Sequence, residues 1–288
     1  MTAKGDKASI DYESSLRHIV TLSLEEDLDA AGDITSRAIF SPDDQGAAHV
    51  AAREECVISG MEAAAEVCLQ VDPDLGWLPL VEDGQRIPAG AEIGRLDGRL
   101  ISILAAERTL LNFLSRLSGI ATLTAAYVEA VKGTGARIAA TRKTSPGLRI
   151  LEKRAVVHGG GETHRQGLYD AVLIKDNHIA AAGGAAAAVN KLRQALGEGI
   201  GIEVEVESAA ELEAAMMEAG AASVLLDNME PEKVRECVEL AAGRVSIEAS
   251  GGIGLGNVRR YAEAGADVIS VGALTRSAQG IDLTLEVM

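Results

Sequence analysis

The stretch from Ala139 to His178 concentrates side chains able to do chemistry. Arg142, Lys143, Arg149, Lys153, Arg154, Arg165 and Lys175 lie here with His158, His164 and His178, against only Glu152, Glu162, Asp170 and Asp176. The 288-residue chain as a whole is strongly acidic, with a formal net charge of -16. A local excess of cations in an acidic chain suits the grip of a small, highly charged anion in a cleft. A nucleic acid would need a broad basic face instead.

The order of residue types places these cations. Ile138, Ala139 and Ala140 read as the end of a buried strand, and Thr141-Arg142-Lys143-Thr144 follows where the chain leaves it. Pro146 and Gly147 mark a turn before a helical pattern at Leu148, Ile150, Leu151, Ala155 and Val156. Gly159-Gly160-Gly161 then frees the backbone just before His164 and Arg165. A second apolar run, Ala171 to Ile174, ends on Lys175-Asp176-Asn177-His178. One Arg-Lys pair is ordinarily solvated surface. Cations repeatedly set at the ends of apolar runs argue for a site.

The elements that must hold these groups form a regular series. Strand candidates end at Thr141, Lys175, Glu205, Asp227, Ser250 and Gly272, spaced 34, 30, 22, 23 and 22 positions apart. Helical patterns fall between them at Ala185–Leu196, Ala209–Glu218, Pro231–Ala241 and Asn257–Ala264. Buried parallel strands alternating with helices mean a doubly wound sheet or a βα barrel. A doubly wound sheet gathers ligand groups at one switch point. Here nearly every strand ends on a polar or glycine candidate, which favours a barrel whose strand ends converge. The expected fold is α/β: an incomplete parallel βα barrel of about six or seven strands at 113–276, with a smaller α+β domain at 1–112 and the tail 277–288 packed back on it.

Two late loops, Ser250-Gly251-Gly252 and Val271-Gly272-Ala273, put small residues where backbone must approach a ligand, the usual place for phosphate in barrels. Gly252, Gly254 and Gly256 do not make a dinucleotide fingerprint. In Ile202-Glu203-Val204-Glu205-Val206-Glu207 three carboxylates share one face of a strand, and Asp227 ends another. Acids inside a barrel need cations, a metal or hydroxyls as partners.

The amino-terminal section reads as a helix over Tyr12–Leu28, an acidic turn at Glu25, Glu26, Asp27, Asp29 and Asp33, and strands at Ala47–Ala52, Cys56–Ser59, Trp77–Val81, Glu92–Leu96 and Leu100–Leu104. A short helix falls at Met61–Leu69. The acidic turn matches no common metal loop and reads as solvated. A long helix is expected over Ala105–Val131, with a break at Ser118-Gly119 and a surface ion pair at Glu107-Arg108. Hydrophobic residues make up 47% of the chain and aromatics 2%, so the core is built from Ala, Val, Leu and Ile. Cys56, Cys68 and Cys237 lack metal or redox spacing and read as buried free thiols. The stretch Met1–Ser9 lacks the apolar segment of a secretory signal, and no apolar run suits a membrane span. A soluble, cytoplasmic protein is expected, with neither nucleic acid nor membrane as partner.

Together these motifs resemble one family. Thr141-Arg-Lys-Thr, Gly159-Gly-Gly-x-x-His164-Arg165, Leu173-Ile-Lys175-Asp-Asn-His178, Glu203-Val-Glu205-Val, Leu226-Asp227-Asn228, Ser250-Gly-Gly and Val271-Gly-Ala-Leu-Thr275, in this order, look like nicotinate-nucleotide pyrophosphorylase (carboxylating), or quinolinate phosphoribosyltransferase. Asp33-Ile-Thr35 and Glu107-Arg108-Thr109-x-Leu111-Asn112 are similar to that family too. The resemblance implies conversion of quinolinate and phosphoribosyl pyrophosphate to nicotinate mononucleotide, pyrophosphate and carbon dioxide, with magnesium, in NAD synthesis. It implies a homodimer or a multiple of dimers, in which Arg108 reaches the neighbouring subunit's site. By matching position, Arg142, His164 and Arg165 hold the two quinolinate carboxylates, and Lys143 and Lys175 face both substrates. Glu205 and Asp227 hold ribose hydroxyls or the magnesium. Thr141 sits with these groups, and Ser250, Gly251, Gly252, Val271, Gly272 and Ala273 wrap phosphate. Where many relatives have histidine after Ala-Leu-Thr, this chain has Arg276.

Other readings stay open on the sequence. A phosphoribosyltransferase-like protein linked to molybdenum transport shares the barrel and the Thr-Arg-Lys-Thr element, although Lys175-Asp-Asn-His178 looks like the quinolinate enzyme's motif. Lys175 at a strand end also suits a Schiff-base aldolase. An anion-binding regulator without turnover fits the same cations.

Overall fold

The computed structural model describes residues 11–197, 199–217 and 220–288. Met1–Ser9, and Glu218 at the expected end of one helix, lie outside the described residues. The chain divides into two compact units. One runs to Thr122 and takes in Ser145–His158 and Ala278–Met288; the other is Leu123–Thr144 with Gly159–Ser277. This division differs from a border at residues 112 and 113, because the long fourth helix continues through both units and the segment after Thr144 returns to the first.

In the first unit, α1 (Tyr12–Leu28) buries Leu16, Val20 and Leu24 along one face, and Asp11 caps it by accepting the Ser14 N–H at 3.2 Å. Asp33 caps α2 (Ile34–Ile39) by accepting the Thr35 and Ser36 N–H groups at 3.0 Å, which gives this member of the acidic turn a structural role. Next come β1 (Gln45–Ala52), β2 (Cys56–Val57), α3 (Met61–Val71), β3 (Gly76–Pro79), β4 (Arg86–Ile87) and β5 (Glu92–Arg99). The carboxyl-terminal strand β12 (Leu283–Val287) pairs antiparallel with β1, giving a sheet of order β12-β1-β5-β3.

The helix α4 (Leu100–Ala130) corrects two expectations. Leu100–Leu104 is its first turn and not a strand: a short apolar run carries no periodicity of its own, and the residues after it decide its form. The helix also continues unbroken through Ser118-Gly119. Gly119 serves close packing, since a Cβ there would stand 1.9 Å from the Gln279 carbonyl oxygen. Leu110, Leu114, Leu117 and Ala121 are buried at helical spacing, each leucine contributing about 1.5–3 kcal/mol by burial.

In the second unit the described residues contain six parallel strands: β6 (Arg137–Ala139), β7 (Val172–Ile174), β8 (Ile202–Val206), β9 (Ser223–Asp227), β10 (Ser246–Ser250) and β11 (Val268–Ser270). The helices in chain order are α5 (Arg149–His158, part of the first unit), α6 (Asp176–Ala182), α7 (Ala185–Leu196), α8 (Ala209–Met217), α9 (Pro231–Ala241), α10 (Val258–Glu263) and α11 (Ala273–Arg276). The sheet order is β6-β11-β10-β9-β8-β7, so the first strand pairs with the last, as a barrel requires. The seam falls between β6 and β7. Glu162 makes a parallel bridge with Ala139 on the free side of β6. The result is an incomplete βα barrel. No helix among the described residues is long and apolar enough to cross a membrane.

Alternation along these short strands points the chemistry. On β8, Ile202, Val204 and Val206 are buried while Glu203 and Glu205 are only partly so. Register aligns residues of neighbouring strands in rows: Glu205 with Leu225 and Glu248, and Asp227 with Ser250 and Ser270. Side chains of one row face the same side of the sheet.

Candidate active site

Those rows line a cavity of about 200 Å³ in the second unit. Its wall holds Thr141, Arg142 and Lys143 from the loop after β6, His164 and Arg165 from the loop before β7, and Lys175 just after β7. Glu205, Asp227, Glu248, Ser250 and Ser270 complete the polar lining from the ends of β8 to β11. The strand ends meet, as expected for a barrel.

Local bonds hold Lys143 and Lys175. The Thr141 hydroxyl accepts the Lys143 N–H at 3.1 Å, and the Thr275 hydroxyl donates to the Lys143 carbonyl at 2.8 Å. Gly272 lies under Lys143, where a Cβ would stand 3.1 Å from Lys143 Cδ. Ser145, two residues further on, is held by Glu152 through its N–H at 3.0 Å and its hydroxyl at 2.7 Å, and Glu152 also pairs with Arg116 at 2.7 Å. Lys175 caps the start of α6, with His178 Nδ1 accepting its N–H at 3.0 Å, and its amine is ion-paired with Glu205.

The cavity sets like charges close together. Burial, and next the like charge of Arg142, pull the Arg165 guanidinium below its ordinary pKa. Two guanidinium groups sharing one cavity are relieved by a bound polyanion. Asp227, also in the lining, is half-buried and accepts the Asn228 side-chain N–H at 2.7 Å. Magnesium takes one or two carboxylates and fills its remaining positions with substrate phosphate oxygens and water. Asp227 and Glu205 offer such an oxygen-only set, so the residues present fit that ion.

His164 occupies a left-handed backbone position, φ 48°, a region in which histidine is enriched among non-glycine residues. Its Nε2 stands 3.3 Å from Glu203 and 3.2 Å from Glu248. Hydrogen bonding to Glu203 and then to Glu248 favours a further proton on the imidazole, and desolvation works against it. The backbone opposes that extra charge: Nδ1 accepts the Arg165 N–H at 2.7 Å, and a second ring proton has to enter at that same atom. The amide is fixed by the chain, so the geometry holds the Nε2–H tautomer.

The structure therefore brings Thr141, Arg142, Lys143, His164, Arg165, Lys175, Glu205, Asp227 and Ser250 together. Gly251 and Gly252 follow β10 at φ 92° and 63°, and Gly251 packs against Asn228. Val271 is core, its side chain 1% exposed, while Gly272 and Ala273 open α11. Arg108 is exposed on α4 in the first unit and is not among the residues lining the cavity. Sequence reasoning misses Glu248 and Ser270 as site residues, and finds Glu203 only as a strand carboxylate. A charged residue inside a five-residue parallel strand, two positions before Ser250, is the signal for Glu248.

Comparison with known proteins places the chain in one family. A family model described as the quinolinate phosphoribosyl transferase N-terminal domain matches residues 33–118, and one described as the C-terminal domain matches 120–286. The chain is 39% identical over 289 residues to quinolinate phosphoribosyltransferase (decarboxylating) 1b of Nicotiana tabacum, covering 94% of this chain and 82% of that one. It is 37% identical over 289 residues to nicotinate-nucleotide pyrophosphorylase (carboxylating), chloroplastic, of Arabidopsis thaliana, with coverage of 94% and 82%. The solved nicotinate-nucleotide pyrophosphorylase from Francisella tularensis superposes with a TM-score of 0.92 at 41% identity, covering 97% of this chain and 98% of that chain.

Proposed function

The chain belongs to the quinolinate phosphoribosyltransferase family, and from that premise we propose that it joins quinolinate to phosphoribosyl pyrophosphate, releasing pyrophosphate and carbon dioxide and leaving nicotinate mononucleotide. The observation that carries this reading is the convergence of Arg142, Lys143, Arg165 and Lys175 on one cavity that Glu205 and Asp227 also line. Two polyanions repel each other, and this cavity neutralises them before they meet.

Arg142 and Arg165 take the pyridine carboxylates and aim the ring nitrogen at the anomeric carbon. Lys143 faces both reactants, and Lys175 gives up part of its pairing with Glu205 as the pyrophosphate arrives. The nitrogen–carbon bond forms as the carbon–oxygen bond to pyrophosphate breaks, with the electron pair leaving on pyrophosphate. Asp227 and Glu205 face the ribosyl carbon and its hydroxyls while positive charge develops there. Asp227 and Glu205 would hold magnesium, which when bound would supply charge neutralisation at the leaving group. Loss of carbon dioxide then puts an electron pair on the ring, which its cationic nitrogen stabilises until a proton is taken up. Ser250, Gly251, Gly252 and Gly272 receive the ribose phosphate. Arg276 is exposed near the same end and adds positive charge.

The proposal includes a cytoplasmic homodimer in which Arg108 completes the partner's site. Incubation with quinolinate, phosphoribosyl pyrophosphate and magnesium should yield nicotinate mononucleotide; binding of both without product would favour a regulator. A Schiff-base lysine needs its amine free, whereas Lys175 is engaged as the cationic partner of Glu205. Borohydride trapping of a carbonyl substrate on Lys175 would reverse that judgement. Mixing inactive Arg108→Ala chains with inactive Lys143→Ala chains should restore part of the activity, and no recovery in verified mixed dimers would refute the shared site.

A further inference from the structure

His164 has no ring nitrogen to spare. Nδ1 accepts the Arg165 N–H at 2.7 Å, and Nε2 lies between the carboxylates of Glu203 and Glu248 at 3.3 and 3.2 Å. Glu248 is 5% exposed, sits inside β10 and is row-aligned with Leu225, while Glu203 sits on β8 beside Leu173 of β7. The strand register therefore fixes the backbone from which each carboxylate reaches the ring. One rigid line runs from two strands through one imidazole to the backbone of the next residue.

We propose that Glu203 and Glu248 are positioning residues: together they lock His164 in the Nε2–H tautomer, and His164 in turn anchors the Arg165 backbone so that its guanidinium is presented to a substrate carboxylate. This deepens the proposed function and rests on it. Both carboxylates meet the imidazole edge, Glu248 from the cavity lining and Glu203 from β8. The same three residues offer ligand atoms within 4.8 Å of one another, the span of a metal site. A metal at Nε2 would need Nδ1 to carry the proton, as ligating histidines do. The Arg165 N–H occupies that position, so the trio holds a proton and not an ion.

The test uses the full-length protein with Glu203→Ala, Glu248→Ala, Glu203→Gln and Glu248→Gln. Loss of a charge-assisted hydrogen bond is expected to raise the quinolinate KM by about 10- to 100-fold in the alanine variants. kcat at saturating quinolinate and the KM for phosphoribosyl pyrophosphate should change far less. The glutamine variants keep an acceptor oxygen and should recover most of the quinolinate KM. Nitrogen NMR of histidine-labelled protein, with the His164 signal assigned by His164→Asn, should show Nε2 protonated and Nδ1 bare at neutral pH. A doubly protonated ring, a stoichiometric shift of that signal on adding Zn²⁺, or equal loss for both substrates would overturn the proposal. Should the alanine variants fail to fold, the glutamine variants and the wild-type NMR signal still decide. Wild-type protein that shows the expected tautomer but makes no nicotinate mononucleotide would sink the proposed reaction while leaving the histidine lock in place.

Discussion

Replacing Gly251 by alanine should damage the carboxylate end of the site through a neighbour. Gly251 has φ 92°, and a Cβ there would stand 2.2 Å from Asn228 Oδ1 and 2.7 Å from Asn228 N. Asn228 itself holds two bonds: its amide side chain donates to Asp227 at 2.7 Å and its N–H donates to the Ser250 carbonyl at 2.9 Å. Placing a side chain at this φ costs about 1–3 kcal/mol. Displacing Asn228 from the Asp227 carboxylate costs about 1.5–3 kcal/mol more if that bond is lost outright. Partial relaxation brings the expected destabilisation of Gly251→Ala to about 2–4 kcal/mol, read from the midpoint of denaturant unfolding. The affinity for phosphoribosyl pyrophosphate should fall more than that for quinolinate, because the proposed reaction assigns the disturbed groups to the ribose and phosphate. Adding Asn228→Gly, which tolerates the native φ of 53°, should recover the side-chain clash but not the clash with the backbone nitrogen. A Gly251→Ala protein within about 0.5 kcal/mol of wild type would refute this account of the loop.

Glu152 is 0% exposed and pairs with Arg116, so Glu152→Ala should cost about 3–5 kcal/mol in denaturant unfolding, and a loss under about 1 kcal/mol would show that the pair is not a support of the Ser145 turn. Burial raises all three thiols, Cys68 to about 12 and Cys56 to about 11, so a thiol reagent at mildly alkaline pH should label native protein slowly and unfolded protein at once. A chelator should abolish turnover and added magnesium restore it; full activity in chelator would remove the metal from the proposal. Lys143→Ala should lower kcat by about 10²- to 10³-fold if its contact forms in the transition state.

Much of the second unit is legible in the sequence because its strands are short, apolar and regularly spaced. Thr141, Lys175, Glu205, Asp227 and Ser250 can be placed at strand ends by that beat alone. The helix at Leu100 is not legible, because Leu-Ile-Ser-Ile-Leu suits either form and only the helical continuation after it settles the matter. Gly119 looks like a breaker because the Gln279 backbone packed against it is remote in sequence. The place of α5 is hidden for the same reason: in the sequence Glu152 is only one of the acids among the cations, and its partners Arg116 and Ser145 come from the fold. His164 is visible as a site residue, but its two anchors lie on separate strands, a relation that only strand register provides.

The pairing of β6 with β11 has a bearing on biosynthesis. Ile138 lies beside Ile269, and Thr275 is bonded to the carbonyl of Lys143. A nascent polypeptide halted just short of residue 268 would already contain every cation of the cavity, yet the strand that should flank β6 would be missing. The tail strand β12 repeats the arrangement against β1. Assembly of both units thus waits on the last part of the message, and early release would yield a product whose parts are present but unmatched.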